Sequence, residues 1–208
     1  MIYHMEQRSD EWQAVRCGRI TGTSFATMAN GKSDTITKLC IETAAERITG
    51  QPQPNGYQNA VMQRGSEIEP RARAMYGPAR FLHVEQVGFV DPYPDDLPNT
   101  ERFLGMSPDG LVDDDGGLEL KCPLQATHLK YLRSDGAAWR AYKWQVQGGL
   151  WITGRAWWDF VSYHPDFPPD QQMLIERVGP DAAMFAQLET GAAACIEQIK
   201  EIVESVSG

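Results

Sequence analysis

The sequence has few of the features that would place a chain in a membrane, in an oxidising compartment or around a zinc ion. No apolar run approaches the roughly 20 residues of a membrane-spanning helix, and the N-terminus lacks the basic and apolar segments of a secretory signal. The four cysteines include no CxxC pair, and the four histidines are widely scattered, which argues against a disulfide framework or a zinc motif. We expect a soluble cytoplasmic protein with no membrane partner, in which oxygen atoms hold any metal.

Basic side chains are also scarce. Lys and Arg number 19 against 28 Asp and Glu, so the formal net charge is -9. This balance argues at first against nucleic acid, because phosphate binding normally draws on an excess of basic side chains. Five carboxylates, however, fall between residues 109 and 119, where a divalent cation would neutralise part of their charge. An enzyme that acts on DNA is therefore not excluded.

The length and the apolar content indicate one folded unit. A chain of 208 residues with 42% hydrophobic residues can build a sizeable core, so we expect a single domain over residues 1–208. Pro70 is expected to kink its helix or to begin a new one. The periodic patterns predict helices over 9–18, 35–49, 57–77, 137–153 and 180–205. They predict strands over 80–90, 155–163 and 172–178, and two or three short strands over 102–122. This order suggests an α/β sandwich.

The run Asp113-Asp114-Asp115-Gly116-Gly117 is typical of a tight turn, since Asp tolerates turn geometry and Gly supplies positive φ. The flanking strands should therefore pair. If the hairpin is centred on Asp114, paired positions sum to 228, and Asp109 lies opposite Glu119. Strand periodicity then places Lys121 on the same face as Glu119.

Two opposed carboxylates need a counter-charge. At about 5 Å they repel by about 3 kcal/mol at an effective dielectric of about 20. Mg²⁺ characteristically uses one or two carboxylates together with water and substrate phosphate oxygens, and a nearby lysine completes a site suited to phosphodiester hydrolysis. The alternative is a solvent-exposed acidic hairpin in which Lys121 is an ordinary ion-pair partner. The spacing alone leaves both interpretations open.

Several motifs together resemble the lambda exonuclease family, also called YqaJ-like viral recombinases, within the PD-(D/E)xK nucleases. They occur in a fixed order over roughly residues 12–150. The motifs are Arg16-Cys17-Gly18-Arg19-Ile20-Thr21, Gly65-Ser66-Glu67-Ile68-Glu69-Pro70, Ser107-Pro108-Asp109-Gly110, Leu118-Glu119-Leu120-Lys121-Cys122-Pro123 and Gln145-Val146-Gln147. The resemblance implies an α/β fold with a PD-(D/E)xK restriction-endonuclease-like core, in which helices flank a central mixed sheet.

The resemblance also implies roles for residues of the metal site. Asp109, Glu119 and the backbone carbonyl of Leu120 would hold the metal, and Lys121 would be the catalytic lysine. Glu69 would complete the site from the side opposite the hairpin. Its alternative is an exposed glutamate paired with Arg73 four residues on. If the register differs, Glu67 takes the place of Glu69.

A second group of residues matches the positions with which the family binds the 5′-terminal phosphate of DNA. These are Arg16, Thr23, Ser107 and Gln145. This chain reads Ile20-Thr21-Gly22-Thr23-Ser24 where the family usually has I-T-A-S, so either Thr23 or Ser24 supplies the hydroxyl. Gln145 could instead be a core glutamine bonded to the backbone. Met62 matches an apolar wedge pressed into the duplex end, or is simply a core methionine.

By the resemblance, the chain is a Mg²⁺-dependent 5′→3′ exonuclease, phage or prophage encoded, with two ions for which Mn²⁺ can substitute. It would digest one strand of duplex DNA from a 5′-phosphorylated end to mononucleotides, leaving a 3′ overhang. Family members form a trimeric ring and work with a single-strand annealing protein in phage recombination. The competing interpretations are a structure-specific or restriction-type endonuclease of the same superfamily, and a non-catalytic DNA-end-binding module.

Overall fold

The structure is a computed structural model that describes residues 1–53 and 60–206, with the backbone alone for residues 60–62. Its helices are α1 (Asp10–Arg16), α2 (Phe25–Asn30), α3 (Ser33–Thr49), α4 (Ala60–Arg80), α5 (Gln125–Leu132), α6 (Lys143–Thr153) and α7 (Ala182–Val206). Its strands are β1 (Ile2–Tyr3), β2 (Ile20–Thr21), β3 (Val84–Glu85), β4 (Phe89–Val90), β5 (Leu104–Gly105), β6 (Gly110–Val112), β7 (Gly116–Lys121), β8 (Trp157–Tyr163) and β9 (Met173–Val178). Short 3-10 turns cover Gly22–Ser24, Asn99–Glu101 and Ala138–Tyr142.

A five-stranded sheet in the order β3-β6-β7-β8-β9 lies at the centre of the fold. The sheet is mixed, because β7 and β8 are parallel while the other neighbours are antiparallel. A parallel pair needs a crossover connection, and α5 and α6 provide it. Two small ladders, β1 with antiparallel β4 and β2 with parallel β5, lie beside it, and an antiparallel bridge pairs Val90 with Met106. The predicted class, helices around a central mixed sheet, is confirmed.

The two faces of the sheet carry separate cores. On one face, Ala72 and Tyr76 of α4 pack in a cluster with Leu118 and Leu120. On the other face, Trp158 and Phe160 pack with residues of α2, α6 and α7, and both side chains are fully buried. Both are therefore core residues, and neither is available to stack on a base. Glu119, which alternates with Leu118 and Leu120 along β7, is directed to the second face.

Local signals place several element ends where the sequence predicts them. Ser9 caps α1, its Oγ accepting from the amide of Trp12 at 3.2 Å. Gly50 ends α3 in the left-handed conformation, with φ 64°. The helix α4 continues through Pro70, so the expectation of a new helix at that proline is wrong. Ala72 and Tyr76 beyond the proline stay fully buried, and this packing offsets the lost backbone hydrogen bond.

Three segments differ from the sequence prediction. The strand expected over 80–90 is divided into β3 and β4, which belong to different sheets. Residues 137–153 form a 3-10 turn followed by α6 rather than one helix. The helix α5, with eight residues, was not predicted, because two turns are too short for a periodic signal. None of the helices in the described ranges is long and apolar enough to cross a membrane.

Candidate active site

The hairpin of β6 and β7 has the predicted register. Gly110 pairs with Leu118 and Val112 with Gly116, so paired positions sum to 228. Asp109 lies one residue before β6, beyond the last backbone pair of the hairpin. Its side chain bonds to β7 there, since Oδ2 accepts from the amide of Leu120 at 2.6 Å. The side chain therefore fixes Asp109 against β7 at the level of Glu119.

The glycines of the turn act differently from the prediction. The positive φ of the turn belongs to Asp113, at 43°, and neither Gly116 nor Gly117 adopts a left-handed conformation. Instead, a Cβ atom on Gly117 would lie 2.1 Å from Cε3 of Trp158, and one on Gly116 would lie 2.1 Å from Cζ2 of Trp157. Glycine is required here because the indole rings of β8 approach the backbone closely.

Glu119 and Lys121 form the buried half of the site. The Nζ of Lys121 lies 2.5 Å from Oε1 of Glu119, and the side chain of Glu119 is only 4% exposed. Lys121 also lies over the ring of Tyr142, with Nζ 4.8 Å from the centroid. The ion pair of the alternative interpretation is thus present and the tip of the hairpin is exposed, but Glu119 itself is buried.

The electrostatics of the site are unbalanced toward negative charge. Burial raises the pKa of the Asp109 carboxyl well above its ordinary value, and the neighbouring Glu119 and Glu69 raise it further. Burial alone would lower the pKa of Lys121, but Glu119 and Asp109 outweigh it and raise that pKa. Lys121 therefore stays charged, while Asp109 holds its proton more tightly than an exposed aspartate does.

Helix α4 brings Glu69 close to the carboxylates and the lysine of the hairpin. Glu69, Leu120, Lys121 and Tyr142 line one cavity of about 300 Å³. Arg73 pairs with Glu69, Nη2 to Oε1, at 2.5 Å, so the predicted i+4 contact is also present.

A second bond of Arg73 ties this helix to the hairpin, since its Nε donates to the carbonyl of Asp109 at 2.7 Å. Glu67 is exposed and accepts from Nε2 of Gln63 at 3.2 Å. Glu69, not Glu67, therefore lies at the cavity.

The oxygen atoms around the cavity fit a hard divalent cation in type. The amide and the carbonyl of a strand residue point to the same side, so the carbonyl of Leu120 faces the side of Asp109, as its amide does. A cation beside Asp109 and Glu119 would relieve the repulsion that raises the pKa of Asp109. In the described residues, however, no three Asp, Glu, His or Cys side chains converge closely enough to hold a metal ion. The three carboxylates are engaged instead by the Leu120 amide, Lys121 and Arg73.

A second polar site lies beside the first, around Arg16. Its Nη1 donates to Oγ of Ser107 at 3.1 Å, and its Nη2 donates to Oγ1 of Thr21 at 2.9 Å. The guanidinium lies over Trp12, with Cζ 4.1 Å from the ring centroid. The Nε1 of Trp12 in turn donates to Oγ of Ser107 at 2.8 Å. These contacts hold the guanidinium plane in one orientation.

Arg16 is a half-buried cation without a carboxylate partner. None of the ion pairs in the described part of the chain includes it. Burial lowers its pKa to about 10, against the opposing influence of Glu46, so the side chain is still charged at neutral pH. Arg16, Thr23 and Ser24 line the same cavity of about 240 Å³, so both candidate hydroxyl groups lie on it. A charged guanidinium among hydroxyl groups is suited to an anion.

The two glutamines of the Gln145-Val146-Gln147 motif have different environments. Gln147 is buried; its Nε2 donates to the carbonyl of Gly179 at 2.9 Å, and its Oε1 accepts from the amide of Asp181 at 2.9 Å. Gln145 is half-buried and makes no side-chain hydrogen bond to the described residues. Its helix packs against the Gly22–Ser24 turn. The core glutamine is therefore Gln147. The side chain of Met62 lies outside the described residues.

Sequence reasoning did not assign roles to Trp12, Thr21 or the second contact of Arg73. Trp12 precedes Arg16 by four residues, which places both on one face of α1, so its spacing was a usable signal. Thr21 lies within the quoted Arg16–Thr21 motif. The bond between Arg73 and Asp109 spans 36 residues, and no local pattern indicates it.

Known proteins resemble the chain closely enough to place it in a family. The model of the YqaJ-like viral recombinase domain matches residues 11–156. The structure of an alkaline exonuclease (LHK-Exo) from Laribacter hongkongensis is 34% identical, with a TM-score of 0.82 and 96% of each chain covered. The same exonuclease in complex with dAMP matches at 34% identity and a TM-score of 0.82, over 95% of this chain and 96% of that one.

A phage related exonuclease from Haemophilus somnus 129PT shares the fold at 14% identity, with a TM-score of 0.68 over 90% of this chain and 96% of that one. No curated protein matches the chain. The family match covers the carboxylate hairpin, Lys121, Arg16 and the Gln145 helix, and the fold is of the PD-(D/E)xK type. The chain therefore belongs to the family of YqaJ-like viral recombinase domains, as its motifs predicted.

Proposed function

We propose that the chain is a Mg²⁺-dependent 5′→3′ exonuclease that degrades one strand of linear double-stranded DNA from a 5′-phosphorylated end. It releases mononucleotides and leaves a 3′ single-stranded overhang. Family membership and the likeness to an alkaline exonuclease support nuclease activity. The complex of that exonuclease with dAMP is in keeping with a mononucleotide product.

One observation carries the polarity and the exonuclease character. Ser107 belongs to the Arg16 site and Asp109 to the carboxylate site, and two residues of an extended chain span only about 7 Å. The two sites are therefore separated by a distance on the scale of one nucleotide. A terminal phosphate held at Arg16 would present the next phosphodiester to Asp109, Glu119 and Lys121.

The carboxylate site supplies the chemistry. Asp109, Glu119, the Leu120 carbonyl and Glu69 would hold Mg²⁺, with two ions and Mn²⁺ as a substitute. Such ions polarise a phosphate and lower the pKa of bound water. Lys121, whose pKa is raised by Glu119 and Asp109, remains cationic and stabilises negative charge that develops on the phosphate.

The Arg16 site positions the end of the DNA strand. Arg16, Ser107, Gln145 and the hydroxyl of Thr23 or Ser24 would bind the 5′-terminal phosphate. The orientation of Arg16 by Trp12 and Ser107 suits bidentate binding, because the guanidinium is fixed before the ligand arrives. Met62 is proposed as the wedge at the duplex end, and a homotrimeric ring and a single-strand annealing protein as partners in recombination.

The decisive experiment compares three DNA substrates with Mg²⁺. Linear duplex with 5′-phosphate should be degraded to mononucleotides, whereas 5′-hydroxyl ends should slow the reaction by about tenfold or more, since charge-assisted hydrogen bonds to the phosphate are lost. Covalently closed circles should remain intact. Lys121→Ala should lower activity by about 10²-fold or more.

The same assay separates the competing functions. Cleavage of closed circles would support the endonuclease of the same superfamily and overturn the exonuclease. No degradation of any duplex, with DNA ends still bound, would support a non-catalytic end-binding module. Release of nucleotides from the 3′ end of an end-labelled strand would overturn the polarity.

A further inference from the structure

The turn that leads into α1 contains an arginine where the backbone favours glycine. The amide of Ser9 donates to the carbonyl of Glu6 at 3.2 Å, which closes a four-residue turn. Arg8 occupies the third position of this turn with φ 77°. Turns with positive φ at this position prefer glycine or asparagine, which adopt the left-handed conformation with little strain. A strained non-glycine residue is a reason to ask what its side chain does.

The turn is fixed between the two sites of the proposed reaction. Gln7 donates from Nε2 to the carbonyl of Pro108 at 2.9 Å, directly between Ser107 and Asp109. Arg8 donates from Nη2 to Oγ of Ser66 at 2.5 Å. Ser66 lines the active-site cavity together with Glu69 and Lys121. The guanidinium of Arg8 is thus held next to that cavity, against one of its lining residues.

Most donors of this guanidinium are still available. The bond to Ser66 uses one of the five N–H donors of Arg8, and the others have no partner in the described part of the chain. The residue is exposed and takes part in no ion pair among those residues. Glu69 lines the cavity and acts electrostatically on Asp109, which is also next to Glu119, in a chain of net charge -9. An approaching phosphate therefore needs local positive charge to offset repulsion.

We propose that Arg8 binds a phosphate oxygen of the DNA strand next to the active-site cavity. The inference rests on the proposed nuclease function and adds a substrate contact to it. Arg8 and Arg16 would then bind the strand on both sides of the scissile phosphodiester. The competing explanation is that Arg8 only tethers the turn to α4 through Ser66.

The conformation of Arg8 makes these explanations separable. Arg8→Gly removes the cation and suits the positive φ, so the melting temperature should not fall. If Arg8 contacts phosphate, the slope of log binding constant against log salt should decrease in magnitude by about 0.7 to 0.9. Binding to 5′-phosphorylated duplex is measured without divalent metal, so that no strand is cut. Arg8→Lys should restore most of the slope, because the slope counts neutralised phosphates.

Arg80→Gln is the matched control for loss of one positive charge. Arg80 is an exposed arginine at the end of α4, and the salt slope of this variant should equal that of the wild type. An unchanged slope for Arg8→Gly, or an equal decrease in both variants, would overturn the phosphate contact. A lower melting temperature with an unchanged slope would leave the tether as the role of Arg8.

A neutral-phosphate series locates the contact. Methylphosphonates are placed singly at successive positions next to the scissile bond, and single-turnover rates are measured with Mg²⁺ for wild type and Arg8→Gly. At the contacted phosphate, the substitution and the mutation should not be additive; additivity at every position would contradict the proposal. If the wild type cut no linear duplex, the nuclease function would fail, while the salt slope would still test Arg8 separately.

Discussion

At the scale of single residues, the carboxylate site contains a repulsion between like charges that the fold does not fully relieve. Asp109 lies against Glu119 and Glu69, and burial removes the water that would screen them. A carboxyl with a strongly raised pKa beside a fixed lysine is characteristic of catalytic and metal-binding sites. Arg16 is the counterpart of this arrangement, since it is a charged side chain that forms no ion pair with the described residues.

Asp109→Asn tests the charge conflict. The amide keeps the size of the side chain and can still accept from the Leu120 amide, while the repulsion disappears. We expect the free energy of unfolding without divalent metal to rise at neutral pH, and activity to fall by about 10²-fold or more because a carboxylate of the proposed metal site is lost. Chemical denaturation with EDTA and a nuclease assay with Mg²⁺ measure the two effects.

Asp114→Asn is the control for this variant, because Asp114 is exposed at the tip of the same hairpin. It should change neither quantity. Destabilisation of Asp109→Asn without metal would contradict the charge conflict. Full activity of that variant would remove Asp109 from the proposed metal site.

At the scale of elements, the sequence was most informative where one local pattern determines the geometry. The register of β6 and β7 follows from the position of the turn, because a strand alternates with a period of two residues. The start of α1 and the end of α3 also follow from local residues, because Ser9 caps the first amides and Gly50 adopts the left-handed conformation that ends a helix. The Asp109 and Glu119 site was therefore predictable in position.

Contacts between distant segments were not predictable. The turn 113–115 is held by Arg155, whose Nη1 donates to the carbonyls of Val112, Asp113 and Gly116. Gly116 and Gly117 after the turn are required because the rings of Trp157 and Trp158 leave no room for a Cβ atom. Arg73 reaches Asp109 from another helix. Such contacts depend on how elements pack, which periodicity and turn composition do not encode.

Helix α6 offers a matched pair of glutamines two residues apart. Gln147→Ala should leave the carbonyl of Gly179 and the amide of Asp181 without their partner, and lower the free energy of unfolding by about 1 to 3 kcal/mol. Gln145→Ala should leave stability nearly unchanged and raise the KM for 5′-phosphorylated ends by about tenfold. Urea denaturation and steady-state kinetics on 5′-phosphate and 5′-hydroxyl duplexes measure both effects.

The two variants also control for each other. If Gln145→Ala destabilised the protein as much as Gln147→Ala does, Gln145 would be a structural residue. If Gln145→Ala affected phosphate and hydroxyl ends equally, it would not contact the terminal phosphate.

At the scale of the whole molecule, the positions of the charges explain how a chain with a negative net charge can bind the phosphates of DNA. The chain carries -9 overall, yet the cations Arg16, Lys121 and Arg8 lie at the two sites linked by the Ser107–Asp109 run. The excess of carboxylates at one of these sites favours a divalent cation over a protein counter-ion. DNA binding by such a chain should depend on metal and on pH together.

The pH dependence follows from the sign of the Asp109 shift. Its pKa is raised on folding, so its contribution to stability is complete below the ordinary carboxyl pKa and is lost as pH rises through the raised value. In the proposed metal site, Mg²⁺ would bind the deprotonated form of Asp109 and would have to displace that proton. As pH rises from the ordinary carboxyl pKa toward the raised value, the increase in melting temperature on adding Mg²⁺ should therefore grow, and nuclease activity should rise over the same range.

Thermal unfolding with Mg²⁺ and with EDTA, for wild type and Asp109→Asn, tests this linkage directly. The variant should lose both the Mg²⁺-dependent increase and its growth with pH, because no proton is left to displace at that position. A Mg²⁺-dependent increase that is constant across the range in the wild type would mean that the metal does not compete with the proton on Asp109. A pH-dependent increase that persists in the variant would assign the competing proton to another group, and the ligand set would then have to exclude Asp109.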